Sequence, residues 1–138
     1  MIYVKDTPGQ EEYSKFLEFV YEKGDAFIVG FSVTDRGSLF DCDNHLKTIL
    51  KEPRERKPAI VALGNKIDLE ELRQISTEEA RSHFGSFNPP IPYFESSALK
   101  GIGVNAVFEH VINLWEENHS STLNENSEPK NEDRCIIA

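Results

Sequence analysis

Residues 63–68 of the chain are Leu-Gly-Asn-Lys-Ile-Asp, and the leucine ends an apolar run over residues 59–63. A short, continuous apolar run is typical of a strand covered on both faces, as in a parallel sheet. A second such run spans residues 26–31. The abrupt change to polar residues at Asn65 predicts that the chain leaves the sheet there, with polar side chains at a strand end.

Helical periodicity surrounds these runs. Apolar residues spaced three and four apart predict helices, and Ser38 and Ser76 are candidate starts for two of them. The predicted helices cover residues 11–23, 38–50, 76 onward and 103–118, with short strands at residues 2–4 and 93–94. Strands alternating with helices predict an α/β fold, a doubly wound and mostly parallel sheet, for a domain over residues 1–118.

The composition narrows the class of protein. The 138 residues carry a formal net charge of −9, which argues against nucleic acid as a partner, because Lys and Arg clusters bind phosphate backbones. No apolar run is long enough to cross a bilayer and no signal peptide opens the chain, so we expect a cytosolic protein unless something anchors it. Residues 119–138 are mostly polar, and we predict a disordered tail there.

Three polar segments directly follow predicted strands, and they begin at Asp6, Asn65 and Ser96. Ligands of open α/β sheets bind beyond the carboxyl ends of the strands. The candidate binding residues therefore belong to these three segments.

The segment that begins at Asn65 has the chemistry to recognise guanine. This base presents two donors side by side, the ring N1–H and the exocyclic amine, and the ionised carboxylate of Asp68 can accept both. Adenine would place an acceptor against that carboxylate, which is strongly unfavourable. Asn65 can bridge the purine N7 and the neighbouring loops, and Lys66 can lay its methylene stem over the ring. The alternative is a polar turn, where Asn and Asp are common.

The other two segments are ambiguous when each is taken alone. Residues 95–100 are Glu-Ser-Ser-Ala-Leu-Lys, where a backbone amide could donate to the guanine carbonyl and Ser97 could hold the Asp68 carboxylate. The alternative there is a plain loop leading into a helix. In residues 6–11 Asp6 could hold Mg²⁺ through water, Gly9 permits close approach to a phosphate, and Gln10 could orient a water. The alternative is an Asp-Pro-Gly turn.

The three segments together, in this order, resemble the motif set of the Ras superfamily of small GTPases. Residues 6–14 also resemble its switch II segment, and the resemblance covers about residues 1–118. It implies the P-loop NTPase-like fold, binding of GTP and GDP with Mg²⁺, and GTP hydrolysis. It also places Ala98 and Leu99 in the base-binding loop, although many relatives have Lys at the position of Leu99. Exchange factors, GTPase-activating proteins and effectors are the partners it implies.

One family motif does not occur in the chain. Neither Gly-x-x-x-x-Gly-Lys-Ser/Thr, which cradles the phosphates, nor the switch I Thr is present. We therefore expect an N-terminally truncated domain that lacks the family's first strand, first helix and second strand. In the family that first strand lies between the first two strands seen here, so both would lose a partner. We expect guanine recognition to survive and nucleotide binding to be weak.

The last four residues are Cys135-Ile-Ile-Ala, a Cys-aliphatic-aliphatic-X box in which a final Ala favours a farnesyl group. The alternative is that the last four residues match this box by coincidence. A prenyl group at Cys135 would place the protein on the cytoplasmic face of a membrane, and we expect this to be the plasma membrane. Because one lipid chain binds only marginally, a cytosolic pool is expected as well.

Two other functions compete with a GTP/GDP switch in signal transduction. One is a non-catalytic, lipid-tethered interaction module, and the other is a truncated isoform that does not fold. Coding sequence upstream of Met1 and a nucleotide titration would distinguish them.

Overall fold

The computed structural model describes residues 2–7, 14–120 and 134–137. Strands alternate with helices along these residues, as predicted. In chain order the elements are β1 (Ile2–Lys5), α1 (Ser14–Lys23), β2 (Ala26–Ser32), α2 (Arg36–Lys51), β3 (Ala59–Asn65), a 3-10 turn (Glu70–Leu72), α3 (Thr77–Gly85), β4 (Tyr93–Glu95), α4 (Val104–Ser120) and β5 (Arg134–Ile137).

The strands form one parallel sheet in the order β1-β5-β2-β3-β4. β2 pairs with β3 over its full length, from Ala26 opposite Ala59 to Ser32 opposite Asn65. β4 is shorter and pairs with the carboxyl-terminal half of β3, with Glu95 opposite Gly64. This register brings the carboxyl ends of β2, β3 and β4 to one edge of the sheet.

Both faces of the central strands are covered, which explains their continuous apolar sequence. On one face Phe27 and its neighbours pack with the buried side chains of α2 and α3, among them Leu46 and Phe84. On the other face Ile28 and Val61 pack with Val107 and Val111 of α4. Successive side chains of a strand point to opposite faces, so each strand supplies both cores. The doubly wound α/β fold is confirmed.

The start of α2 differs from the prediction. The helix begins at Arg36, capped by the side chain of Asp35, which accepts from the backbone N–H of Gly37 at 2.9 Å. Ser38 instead donates to the carbonyl of Asp35 at 2.7 Å and accepts from the backbone N–H of Ser32 at 2.9 Å. Asp and Ser are both favoured caps, and the end of β2 decides which is used. For α3 the predicted cap is confirmed, because Ser76 Oγ accepts from the N–H of Glu79 at 3.1 Å.

The prediction of a disordered tail over residues 119–138 is wrong at both of its ends. α4 continues to Ser120, two residues beyond the predicted end at 118. Arg134–Ile137 form β5 between β1 and β2, the place where two strands were expected to lack a partner. Residues 121–133 and 138 lie outside the described residues. Arg134–Ile137 form a strand there because the facing edges of β1 and β2 offer backbone donors and acceptors, which an extended segment can satisfy.

A charged cluster fixes the end of β4. Glu95 accepts from Arg73 Nη1 at 3.0 Å, from Thr77 Oγ1 at 2.9 Å and from Tyr93 Oη at 2.8 Å. Burial by itself raises the pKa of Glu95, but the hydrogen bonds from Arg73, Tyr93 and Thr77 outweigh it and hold the pKa below its usual value. The cluster therefore ties β4 to the segment that leads into α3.

The helices within the described ranges are too short or too polar to span a membrane.

Candidate functional site

The segments that follow β3 and β4 run side by side. The N–H of Ser96 donates to the carbonyl of Gly64 at 2.8 Å, and the N–H of Ile67 donates to the carbonyl of Ser96 at 3.2 Å. These bonds continue the β3–β4 pairing beyond the strands themselves. Two of the three predicted segments therefore meet at the expected edge of the sheet.

Asn65 connects three strand ends. Its Oδ1 accepts from the N–H of Ala98 at 3.0 Å and from Ser96 Oγ at 3.2 Å. Its backbone carbonyl accepts from the N–H of Val33, just beyond β2, at 3.0 Å. The predicted bridge to a neighbouring loop is present. Because Oδ1 is committed within the protein, the side-chain NH₂ is the group that could donate to a purine N7.

A hydrogen bond holds the Asp68 carboxylate in place. Ser97 Oγ donates to Asp68 Oδ1 at 2.5 Å, and Ser97 is fully buried. The same Oγ accepts from the N–H of Lys100 at 3.2 Å, which directs its proton towards Asp68. The predicted contact between Ser97 and Asp68 is therefore present.

The electrostatic surroundings keep Asp68 ionised. The hydrogen bond from Ser97 lowers the pKa of Asp68, burial opposes it, and a backbone N–H and the nearby Lys100 and Lys66 lower it further. An ionised carboxylate offers only acceptors. That is the state which two adjacent donors on guanine would require.

Lys66 adopts a backbone conformation that is unusual for its residue type. Its φ is +69°, in the left-handed region, and its carbonyl accepts from the N–H of Leu69 at 3.0 Å. Gly or Asn would be favoured there, and such strain costs a residue with a Cβ on the order of 1 kcal/mol. The tight turn brings Asp68 back beside Ser97, while Lys66 itself remains exposed.

A closed loop supports the Ser97 side of the site. Ser97 and Ile102 exchange two backbone hydrogen bonds of 2.9 and 3.0 Å. Ala98 and Leu99 lie in the exposed part of this loop, and the Leu99 side chain is 85% exposed. Gly103 follows the bridge with φ of +75°, and a Cβ there would come within 2.3 Å of the Glu95 carbonyl oxygen. This support was not predicted from the sequence, although the spaced glycines at 101 and 103 were a signal for it.

The predicted phosphate side of the site is described only in part. Asp6 follows β1 and is exposed, whereas Gly9 and Gln10 lie outside the described residues. The contacts given above join Asn65, Asp68, Ser97 and Ala98, and Asp6 is not among their partners. Within residues 2–7, 14–120 and 134–137 no three His, Cys, Asp or Glu side chains cluster as metal ligands.

Two cavities open at the opposite edge of the sheet, where β2 and β3 begin. One, of about 590 Å³, is lined by Asp25, Trp115 and the basic and acidic residues of the loop after α2. The other, of about 490 Å³, lies between that loop and the prolines before β4. Their linings mix charged side chains of both signs. Neither cavity contains Asn65, Asp68 or Ser97.

Known proteins of one family are similar to this chain. A family model described as the Ras family matches residues 1–117. The GTP-binding protein Rit2 of Mus musculus is 34% identical over 109 residues, 79% of this chain and 49% of Rit2. The Ras-like protein RAS2 of Hydra vulgaris is 31% identical over 134 residues, 97% of this chain and 69% of that protein. The Ras-related protein O-RAL of Diplobatis ommata is 33% identical over 126 residues, 91% of this chain and 59% of O-RAL. The chain spans about half the length of Rit2.

Two glycine substitutions test the support of the loop. Gly103→Ala should lower the free energy of unfolding by more than about 3 kcal/mol, since a left-handed Ala also meets the Glu95 carbonyl. Gly101→Ala is the matched control: its φ is +66°, but nothing lies within 4 Å of a Cβ there. It should cost only about 1 kcal/mol. Urea unfolding followed by circular dichroism measures both, and equal losses would contradict the proposed packing of Gly103 on β4.

Proposed function

The chain belongs to the Ras family of small GTPases, and on that premise we propose that it is part of a guanine-nucleotide switch of signal transduction. In its full-length form this protein binds GTP and GDP and hydrolyses GTP. The observation that carries the proposal is the Ser97–Asp68 hydrogen bond, which fixes an ionised carboxylate beside the loop of residues 97–102. Members of the family use guanine nucleotides with Mg²⁺ in general.

Recognition of the base is assigned to residues from two segments. Asp68 accepts from the ring N1–H and the exocyclic amine, and the NH₂ of Asn65 donates to N7. Lys66, which is exposed beside the turn, covers one face of the ring with its methylene stem. Leu99 lies at the rim of the same loop.

The Ala98 amide has a more complex role. Its N–H already donates to Asn65 Oδ1 at 3.0 Å. A guanine carbonyl therefore competes with, or shares, a hydrogen bond that the protein makes by itself. Part of the free energy of base binding is offset in this way, because an exchanged hydrogen bond contributes less than a new one.

The affinity of this chain for nucleotide is proposed to be weak. Its 138 residues contain no Gly-x-x-x-x-Gly-Lys-Ser/Thr motif. The base contacts supply specificity, but the charged phosphates gain no cradle of amides from a P-loop. A dissociation constant on the order of millimolar is expected for binding through the base alone.

Catalytic and regulatory roles rest on family resemblance. We assign the orientation of the attacking water to Gln10, close approach to phosphate to Gly9, and water-mediated metal binding to Asp6. Exchange factors, GTPase-activating proteins and effectors are the proposed partners.

Attachment to a membrane through a prenyl group at Cys135 is also proposed. The thiolate of Cys135 would displace diphosphate from an allylic prenyl diphosphate, forming a thioether and releasing the thiol proton to solvent. The cytoplasmic face of the plasma membrane is the proposed location, with a cytosolic pool because one lipid anchors marginally.

Exchanging the carboxylate for an amide should change the base that is bound. Asp68→Asn replaces one acceptor by a donor, so guanosine should no longer bind, whereas xanthosine, which carries a carbonyl in place of the amine, should bind. The measurement is the shift of the amide signals of residues 65–68 and 97–99 in ¹⁵N-resolved NMR titrations with guanosine, xanthosine and adenosine.

Asp41→Asn, on the exposed surface of α2, is the matched control and should retain the preference for guanosine. Equal shifts with guanosine and adenosine in the unmodified chain would contradict the proposed base recognition. Tight, Mg²⁺-dependent binding of GTP would contradict the proposed weakness.

Lipid transfer should depend on Cys135 alone. Cys42 is buried, and burial with the nearby Asp43 raises the pKa of its thiol to about 12, so it should not compete. Incubation with a farnesyl diphosphate donor and its transferase should add one farnesyl group to the chain and none to Cys135→Ser, as measured by mass spectrometry. Modification of the Ser variant would show that another residue accepts the lipid.

A further inference from the structure

The hydroxyl of Tyr93 lies directly over Gly64, the penultimate residue of β3. A Cβ added at Gly64 would collide with Tyr93 Oη and would come within 3.2 Å of Tyr93 Cε2. Gly64 pairs opposite Glu95 of β4 as an ordinary strand residue, and its φ is not in the left-handed region. A glycine is therefore needed here for the space that the hydroxyl occupies and not for its backbone conformation.

The packing of the Tyr93 ring fixes the position of this hydroxyl. The ring stacks on Phe31 of β2, with centroids 6.0 Å apart, and on Phe84 of α3, with centroids 5.5 Å apart. Both phenylalanines belong to the buried core. Because core side chains from two other elements hold the ring, the hydroxyl has a defined place near the carboxyl ends of the strands.

From this place the Tyr93 hydroxyl donates to Glu95 Oε1 at 2.8 Å. Burial, together with the hydrogen bond to Glu95 and its negative charge, raises the pKa of the Tyr93 hydroxyl, so the group keeps the proton that it donates. The same Glu95 oxygen accepts from Arg73 and Thr77, which approach from outside the sheet. Tyr93 adds a donor from within the sheet itself.

Both residues that the hydroxyl contacts adjoin the candidate base site. Gly64 is followed by Asn65, and Glu95 is followed by Ser96, whose N–H donates to the Gly64 carbonyl at 2.8 Å. The hydroxyl thus holds together the ends of β3 and β4. The relative position of these two ends sets the geometry around the carboxylate that would accept from a base.

We propose that Tyr93 is a positioning residue for the base site: its hydroxyl, lying over Gly64 and bonded to Glu95, fixes the strand ends so that Asp68 meets Ser97. The effect on base binding rests on the proposed function, whereas the contact with Gly64 does not. A phenylalanine would fill the core with the same ring, so the hydroxyl alone distinguishes the positioning role from packing.

Tyr93→Phe removes the hydroxyl and keeps the ring. In the folded variant the pKa of the Asp68 carboxyl should rise towards the usual range for Asp. Guanosine should bind about threefold more weakly, because part of the free energy of one hydrogen bond is lost from the site. NMR titrations measure both values, the first on the Asp68 carboxyl carbon and the second on the amides of residues 65–68 and 97–99. A loss of stability alone would change neither value in the folded chain.

Tyr21→Phe is the matched control, because the Tyr21 hydroxyl bonds with His45 in a contact between α1 and α2. It should leave the Asp68 pKa and the affinity for guanosine as they are in the unmodified chain. An Asp68 pKa that does not change in Tyr93→Phe would overturn the positioning role. Unchanged guanosine binding would overturn the transmission of this role to the ligand.

A substitution of Gly64 tests the space beneath the hydroxyl. Gly64→Ala should lower the melting temperature by more than about 8 °C, and adding Tyr93→Phe should restore most of this loss, because the colliding oxygen is gone. The restoration is incomplete, since Val33 Cγ1 still lies 3.0 Å from the new Cβ. Gly30→Ala in β2 is the matched control, because a Cβ there meets only the Leu63 carbonyl oxygen, at 3.8 Å. A double variant that melts no higher than Gly64→Ala, or that does not fold, would overturn the contact between Gly64 and the hydroxyl.

The outcomes separate this inference from the proposed function. A chain that binds guanosine and adenosine equally would remove the proposed base recognition, while a raised Asp68 pKa in Tyr93→Phe would still support the positioning role. A chain that prefers guanosine but has the same Asp68 pKa with Tyr or Phe at position 93 would keep base recognition and overturn the positioning role.

Discussion

The parallel pairing of β3 with β4 is the constraint on which the candidate site depends. Glu95 lies opposite Gly64, and the chain continues this pairing through the bond from the N–H of Ser96 to the Gly64 carbonyl. Two segments from distant parts of the sequence therefore leave the sheet at the same edge. A shift of one residue in this register would turn Asn65 and its partners to the other face.

The surrounding contacts make this edge rigid before any ligand binds. The carboxylate of Glu95 is tied to Arg73 and Thr77, so the end of β4 cannot move independently of the segment before α3. Gly103 packs against the Glu95 carbonyl and closes the loop from the other side. Groups that are already oriented lose less entropy on binding, which makes a prearranged carboxylate more selective. This arrangement has two unfavourable features. The backbone of Lys66 is strained, and the amide of Ala98 already donates to Asn65.

Much of the fold could be predicted from the sequence, because its causes are local. The apolar runs of β2 and β3, the stripe of α4 and the Ser76 cap each lie within a short segment. The contact between Ser97 and Asp68 was predicted from chemistry and resemblance, and it is present, although its role in nucleotide binding stays a proposal. The bridge from Ser97 to Ile102 and the cluster around Glu95 were not predicted, because they depend on which loops the sheet brings together.

β5 is the element that could least be predicted from the sequence. The composition of the tail indicates disorder, and although Ile136 and Ile137 favour a strand, they do not say which strands they would pair with. The reason lies more than a hundred residues away in sequence, in β1 and β2, whose facing edges accept residues 134–137. The cap of α2 also depends on contacts outside its own segment. Asp35 caps the helix and not Ser38, since Ser38 accepts from the backbone N–H of Ser32 at the end of β2.

The central claim is that the protein itself prepares Asp68 to accept donors from a base. The most direct measurement is an NMR titration of the Asp68 side-chain carboxyl carbon, without ligand, in the unmodified chain and in Ser97→Ala. The hydrogen bond from Ser97 is the leading cause of the lowered pKa of Asp68. The account predicts a pKa below the usual range for Asp, and a rise towards that range in the Ala variant. An ordinary pKa in the unmodified chain, or the same pKa in both, would contradict it.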